Sequence, residues 1–176
     1  MAEKMEYSLP PMPLGNTYPH LVWVDCEMTG LDTANDVLVE IAVLVTDSEL
    51  NIIGDGVDVV IKASAEQIAG MNDFVTKMHT DSGLITEIPN GISASEAEEL
   101  IIKYLESAGV VAGKSPLAGN SVYVDRIFIT RDMPKLSEYL HYRTIDVSSI
   151  KELTRRWYPK VSVSYTHLTL PTKRIV

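Results

Sequence analysis

Cysteine is almost absent from this 176-residue sequence, which contains only Cys26. A single cysteine cannot form an internal disulfide, and such sparing use is typical of a reducing cytoplasm. Long apolar runs are also lacking, since none approaches the roughly 20 residues that a membrane-spanning helix requires. The first 20 residues include Glu3 and Glu6 and have no basic segment followed by an apolar one, so they do not form a secretory signal. The sequence therefore predicts a cytoplasmic globular protein without a membrane segment.

Positive charge is scarce as well, because 15 Lys and Arg residues accompany 24 Asp and Glu, for a formal net charge of −9 at pH 7. Proteins that grip long nucleic acids usually present a basic stripe that releases counterions from the phosphates. The acidic balance therefore argues against a long duplex or a long single strand as the partner. It is compatible with a very small nucleotide substrate held by metal ions and a few specific contacts.

The two ends of the sequence differ in character from its centre. Prolines in the first 19 residues predict an extended leader. Segment 162–176 has neither strand alternation nor helical spacing, and it resembles the in-frame translation of a transposon-end adapter used in sequencing libraries. We therefore expect a leader at 1–19, one incomplete domain at 20–161 and an artefactual, unstructured tail at 162–176. The alternative is a genuine disordered tail, and sequencing the source locus across the Val161 codon decides between the two.

The centre of the chain alternates between strand and helix patterns. Strands are predicted at Leu21–Val24, Val37–Val45 and Val57–Ile61, then in short segments after Pro116–Asn120 and at Tyr142–Val147. The second and third strands should pair antiparallel, because their connection is short. Helices are predicted at Ala65–His79, Ser93–Ser107 and Asp125–Met133, and from Ser148 or Ser149 onward, with capping-box spacing at Ser93–Glu96 and at Ser149–Glu152. This order indicates an α/β domain, a mixed sheet with helices on its faces.

Two carboxylates, Asp25 and Glu27, stand at the end of the first predicted strand. Because side chains alternate along a strand, both face one side and Cys26 faces the other. Paired carboxylates supply the hard oxygen ligands that Mg²⁺ and Mn²⁺ prefer. Asp125, at the start of a predicted helix, is a third candidate. Spacing alone leaves ordinary alternatives open: a solvated pair at a strand end, and for Asp125 an acid favoured by the helix dipole.

A series of short blocks lies between Pro19 and Val161 in a characteristic order. The blocks are Val24–Asp32, Glu40–Ala42, Gly119–Ser121, Asp125–Arg126, His141–Arg143, Asp146–Ser148, Lys151–Leu153 and Arg155–Trp157. In wording and order they resemble the oligoribonucleases, most closely the actinobacterial branch. The resemblance implies an RNase H-like exonuclease fold, a homodimer, and 3′→5′ hydrolysis of very short RNA, down to dinucleotides, with two divalent cations, Mg²⁺ or Mn²⁺. It matches Asp25, Glu27 and Asp125 to the first three members, all metal ligands, of an Asp-Glu-Asp-His-Asp catalytic set.

The same resemblance assigns substrate contacts, each of which has an ordinary alternative in the core, at the surface or in a salt bridge. Leu31 resembles a residue that packs on one face of a base, and Phe74 stands where many relatives place Trp on the other face. His79 resembles a residue near the sugar-phosphate. Ser121, Arg143 and Ser148 match a cap around the 5′ phosphate. Tyr142 completes this cap and is expected to come from the partner subunit. We also group Tyr142 with the catalytic residues.

The last motif of that catalytic set, His-x-x-x-x-Asp, has no counterpart here. His167 is the only later histidine and Pro171 lies four residues beyond it, so His167 receives no catalytic role. The general base, the last carboxylate and the final helix are therefore expected to be missing. We expect the 176-residue chain to be essentially inactive on dinucleotides, whereas a form with that helix restored should be active. Two rival functions stay open: a catalytically dead nucleotide-binding or dimerisation module, and a related DNA exonuclease, which His141–Arg143 argues against.

Overall fold

The computed structural model describes residues 20–159, and within them the strands form one sheet of five in the order β3-β2-β1-β4-β5. Their bounds are β1 Leu21–Met28, β2 Leu38–Thr46, β3 Ile52–Val60, β4 Pro116–Gly119 and β5 His141–Asp146. The helices are α1 Ala65–Ala69, α2 Asp73–Ser82, α3 Ala94–Ser107, α4 Tyr123–Asp132, α5 Pro134–Tyr139 and α6 Val147–Trp157. Short 3₁₀ turns at Leu84–Thr86 and Ile88–Asn90 join α2 to α3.

The sheet is mixed, which confirms the predicted fold class. β2 pairs antiparallel with β3, as the short connection predicted, and it also pairs antiparallel with β1. β1 pairs parallel with β4, and β4 pairs parallel with β5. Because parallel strands end at the same edge of a sheet, the carboxyl ends of β1, β4 and β5 lie side by side. The chain segments that follow these three strands carry Leu31, Ser121, Asp125 and Ser148.

The main core lies between the sheet and the helices α3, α4 and α5. The strands β1 and β2 contribute alternate side chains, such as Val22, Val24 and Cys26 from β1, and α3 contributes Ala97, Ile101 and Leu105. A smaller core lies under α2 and the 3₁₀ turns and is formed by Val39, Ala63, Met71, Val75, Leu84 and Ile88. This second core fixes α2 against the sheet, next to the end of β1.

Backbone packing is close where β4 leads into α4. A Cβ atom added at Gly119 would lie 2.7 Å from the Val24 carbonyl oxygen and 2.9 Å from Cγ2 of Val122. No side chain fits at that distance, so only glycine lets the end of β4 lie against β1. This contact brings the start of α4 to the end of β1.

Several predicted element boundaries were wrong. The helix predicted at Ala65–His79 is two helices, because Asn72 accepts a hydrogen bond from the Val75 N–H and so begins α2. The short fourth strand is Pro116–Gly119 itself rather than a segment after it. Pro134 occupies the first turn of α5 as well as following α4.

The N-terminal cap of α6 also differs from the prediction. Asp146, not Ser148 or Ser149, is the cap, and its side chain accepts the Ser148 N–H. The Ser93–Glu96 capping box is present as predicted, with the Ser93 side chain accepting the Glu96 N–H. No helix within residues 20–159 is long and apolar enough to cross a membrane. The predicted leader and tail lie outside the described residues.

Candidate active site

The predicted alternation at the end of β1 is confirmed. Cys26 is buried in the main core, whereas Asp25 is exposed and Glu27 is half-buried on the opposite face. Burial raises the pKa of the Cys26 thiol well above its ordinary value, and the neighbouring carboxylates add to the effect. Cys26 is therefore a core residue, and the two carboxylates flanking it in sequence are the groups available to a ligand.

Asp125 lies beside this pair, although 99 residues separate it from Cys26 in sequence. Its side chain is buried in the first turn of α4, and its Oδ1 accepts the N–H of Cys26 at 2.8 Å. That N–H belongs to the peptide bond between Asp25 and Cys26. The tertiary fold thus places a third carboxylate against the backbone that carries the first two.

The three carboxylates affect one another electrostatically. Burial raises the pKa of Glu27 to about 6, and the charges of Asp25 and then Asp125 contribute to the increase. Burial also raises the pKa of Asp25 and of Asp125, although for Asp125 the hydrogen bond from Cys26 opposes the increase. A partly buried group of mutually repelling carboxylates is suited to a cation, which relieves the repulsion.

This donor set fits a hard divalent cation in its chemistry, because all three groups are carboxylates. Among residues 20–159, however, no group of three or more His, Cys, Asp or Glu side chains is arranged so that it could hold a metal ion as it stands. The assignment of Asp25, Glu27 and Asp125 as metal ligands therefore stays a prediction. A cation would have to draw the three side chains together.

The raised pKa of Glu27 predicts how stability depends on pH in the metal-free protein. A carboxyl group that is more basic in the folded chain favours folding while it is protonated, so its contribution falls as pH rises from 4.5 to about 6. We expect wild-type protein to lose stability across this interval relative to Glu27→Gln, which has no such proton to lose. Urea unfolding of both proteins in EDTA at a series of pH values measures this, and parallel pH profiles would contradict it.

Leu31 lies in the loop that joins β1 to β2 and is 72% exposed. The Asp36 side chain organises this loop by accepting the Thr29 hydroxyl and the Asp32 N–H, both at 2.8 Å. A Cβ at Gly30 would overlap the Asp36 carboxylate, so a side chain there would displace the group that organises the loop. An exposed leucine on an internally bonded loop is suited to packing against an external flat group.

Arg131, which sequence reasoning missed, fastens the same loop to the end of α4. Its guanidinium donates to the carbonyl oxygens of Thr33 at 2.6 Å and Asp36 at 2.7 Å. It also forms a bidentate pair with the Asp132 carboxylate, at 2.6 and 2.7 Å. No local pattern marks this role, because Arg131 and its two carbonyl partners lie far apart in sequence.

Replacing Arg131 by Lys is expected to loosen the loop and to weaken dinucleotide binding about tenfold. A single ammonium cannot satisfy two carbonyls and a carboxylate in the way that the planar guanidinium does. Loss of one charged hydrogen bond costs about 1.5–3 kcal/mol, and we take the lower end because Arg131 is exposed. Hydrogen exchange of the Asp32 amide and dinucleotide affinity are the measurements. Arg155→Lys on α6 is the matched control, and equal behaviour of the two variants would contradict the prediction.

Phe74 and His79 both lie on α2 but face opposite ways. Phe74 is 76% exposed, whereas His79 is buried, with 1% exposure, and its Nε2 lies 2.9 Å from the carbonyl oxygen of Met28. This hydrogen bond requires Nε2 to carry the proton, so it fixes α2 against the end of β1. Contact of His79 with a sugar-phosphate stays a prediction, and in this conformation its Nε2 is already engaged. Exposed Phe74 is thereby held on a helix adjoining the Leu31 loop.

Two of the predicted phosphate-cap residues follow the carboxyl ends of β4 and β5, and the other two lie near the start of β5. Ser121 follows β4, and Ser148 is in the first turn of α6, which follows β5 directly. Tyr142 and Arg143 lie on β5, where Tyr142 is 74% exposed and the Arg143 guanidinium is 5.4 Å from the centre of its ring. Tyr142 is therefore not part of the core of this chain. A role for any of the four in phosphate binding stays a prediction.

Taken together, the parallel sheet edge and the acidic group beside it define an exonuclease-class domain. The exonuclease family model matches residues 22–167. The fold is similar to that of E. coli Exonuclease I in complex with a dT13 oligonucleotide, with a TM-score of 0.61 and 17% identity. That match covers 80% of this chain and 30% of the other. It is also similar to a moderately thermophilic Exonuclease I from Methylocaldum szegediense, with a TM-score of 0.57, 23% identity and coverages of 80% and 30%.

Comparison with curated relatives narrows the assignment from exonucleases in general to one family. The chain is 55% identical over 140 residues to the oligoribonuclease of Cutibacterium acnes, covering 80% of this chain and 69% of the relative. It is 58% identical over 142 residues to that of Rhodococcus jostii, with coverages of 80% and 71%, and 57% identical to that of Mycobacterium avium, with coverages of 80% and 66%. The chain belongs to the oligoribonuclease family. It is accordingly a hydrolase of the exoribonuclease class, and exonucleases of this kind use divalent metal ions.

Proposed function

We propose that this protein hydrolyses very short RNA, down to dinucleotides, from the 3′ end to mononucleotides. The observation that carries the proposal is the Asp125 carboxylate hydrogen-bonded to the backbone between Asp25 and Cys26. This contact holds Asp125 against the backbone of β1 that carries Asp25 and Glu27, which supports a shared site for the three carboxylates. Family membership supplies the reaction class, and the acidic net charge supports a small substrate over a long one.

Asp25, Glu27 and Asp125 would hold two divalent cations, Mg²⁺ or Mn²⁺. When bound, such ions supply an activated water and stabilise the leaving 3′ oxygen. The protein residues bind and orient the substrate. Leu31 and Phe74 pack against the bases, and the partly buried carboxylates keep their positions through the Cys26 N–H and the β1 backbone.

The 5′ end of the substrate would be held by Ser121, Arg143 and Ser148. The Arg143 guanidinium supplies charge-assisted hydrogen bonds to the phosphate oxygens. Tyr142 would come from the partner subunit of a homodimer, which its 74% exposure permits. A closed cap at the 5′ phosphate leaves a longer strand no exit, so short substrates are preferred. We place this activity in the cytoplasm, where the unpaired Cys26 stays reduced.

The experiment compares the affinity of the 176-residue chain for a 5′-phosphorylated diribonucleotide with its affinity for the same sequence extended to about twelve nucleotides. Ca²⁺ serves as the divalent cation so that binding, rather than hydrolysis, is measured. We expect the dinucleotide to bind at least about tenfold more tightly, because only it fits within the closed cap. Equal affinity, or tighter binding of the long strand, would contradict the proposal. Measuring the affinities of a matched pair of deoxyribonucleotides distinguishes the proposed exoribonuclease from a related DNA exonuclease.

A further inference from the structure

A single carboxylate oxygen connects the two serines of the proposed phosphate cap. Oδ1 of Asp146 accepts the Ser121 N–H at 2.9 Å, the Ser148 N–H at 2.9 Å and the Ser148 hydroxyl at 2.6 Å. Ser121 and Ser148 belong to different parts of the chain, one after β4 and the other in α6. None of the sequence blocks assigned Asp146 a function of its own.

The position of Asp146 follows from strand pairing. It ends β5 and is aligned with Gly119 in the parallel β4–β5 ladder, so its side chain is next to the chain segment that leaves β4. Two residues beyond Gly119, the Ser121 backbone has φ 56°, in the left-handed region that a residue with a Cβ rarely adopts. In this conformation the Ser121 N–H donates to Asp146, so the carboxylate ties this turn to the end of β5.

Asp146 is negatively charged, and no Lys or Arg within residues 20–159 forms a salt bridge with it, so it is unsuited to touching a phosphate. Burial by itself would raise its pKa, but hydrogen bonds from Ser148, Ser121 and Ser149 together lower it below the ordinary value. Asp146 is therefore an ionised acceptor occupied by protein donors. The Ser148 hydroxyl can turn from Asp146 toward a phosphate while the Ser148 N–H stays bonded, so the residue keeps its place during the exchange.

We propose that Asp146 is a positioning residue that fixes Ser121 and Ser148 for recognition of the 5′ phosphate. The inference rests on the proposed function, because it assumes that these serines contact that phosphate. It adds that the recognition depends on one carboxylate which does not itself touch the substrate. Removing Asp146 should affect the 5′ phosphate selectively and leave contacts with the bases unchanged.

The test measures the affinity of the 176-residue chain, with Ca²⁺ present, for a 5′-phosphorylated diribonucleotide and for its 5′-hydroxyl counterpart. The ratio of the two affinities reports on the phosphate, because contributions from the cation and the bases are common to both. Asp146→Ser is the main variant, since serine still caps α6 but is too short to reach the Ser121 N–H. Asp146→Asn keeps the accepting oxygen. Asp47→Ser is the matched control, because Asp47 also accepts two backbone N–H groups. Asp47 follows the carboxyl end of β2, which lies beside the start of β1 and so at the other end of the sheet from Asp146.

We expect wild-type protein to favour the 5′ phosphate, Asp146→Ser to lose at least about tenfold of that preference, and Asp146→Asn and Asp47→Ser to keep most of it. Affinity for the 5′-hydroxyl dinucleotide should stay within about twofold throughout, which also shows that each variant is folded. The inference is overturned if Asp146→Ser retains the wild-type ratio, or if Asp146→Asn loses as much as Asp146→Ser, which would make charge rather than position decisive. A wild-type protein without any preference would instead remove the proposed phosphate cap, and the inference with it.

Discussion

Replacing Asp125 by Asn is expected to lower the affinity of the protein for Mn²⁺ by more than roughly 100-fold while the fold is retained. Loss of an outer-sphere partner already costs 10–100-fold in metal affinity, and Asp125 is a proposed direct ligand. The asparagine carbonyl oxygen can still accept the Cys26 N–H, so the contact between α4 and β1 survives and only the charge is removed. Calorimetric titration with Mn²⁺ measures the change.

The control for this experiment is Asp55→Asn, which makes the same charge change on exposed β3, away from the carboxyl ends of β1 and β4. Its Mn²⁺ affinity should equal that of the wild type. Glu27→Gln should match Asp125→Asn, because both remove a member of the same acidic group. If Asp125→Asn binds Mn²⁺ as tightly as the control does, the metal-site proposal is wrong, whatever the effect on hydrolysis.

Replacing Phe74 by Ala is expected to weaken binding of a diribonucleotide about 10–100-fold. Stacking of a base on an aromatic side chain contributes about 1–3 kcal/mol, and Phe74 is 76% exposed on a helix that His79 fixes beside the Leu31 loop. Because the ring makes little contact within the protein, its removal should leave stability nearly unchanged. Phe74→Trp should bind more tightly than wild type, since the larger ring offers more surface to the base.

Leu31→Ala should weaken binding in the same sense but by less, since an aliphatic side chain packs on a base without stacking. Leu50→Ala is the matched control, because Leu50 is similarly exposed, at 60%, but lies in the turn between β2 and β3. Fluorescence titration with a 2-aminopurine dinucleotide records both affinity and stacking. If Phe74→Ala binds like the Leu50 control, with unchanged quenching of the probe, Phe74 does not contact the base.

Local patterns in the sequence determined the strands that surround the site and the direction of their side chains. The period of two along β1 already separates Asp25 and Glu27 from Cys26, because alternation is a property of any extended chain. Likewise, the Ser93–Glu96 spacing correctly located the start of α3, since a capping box needs only residues three apart. The break between α1 and α2 was missed because the apolar spacing continues across Gly70. The only local sign of a new helix is a single capping residue, Asn72.

Local rules predicted that α6 begins at Ser148 or Ser149, because Ser149 and Glu152 have capping-box spacing. In the structure the N-terminal cap of α6 is Asp146, whose carboxylate also accepts the Ser121 N–H. That contact exists only when β4 and β5 are paired. In the same way, the approach of Asp125 to Cys26 and the fastening of the Leu31 loop by Arg131 depend on α4 lying across the end of β1. The sequence alone predicted which residues bind a metal or a nucleotide, because its short blocks match those of the oligoribonucleases in wording and order. Only the tertiary structure decided which of them meet and what holds them, because parallel strands align at one sheet edge residues that the sequence keeps far apart.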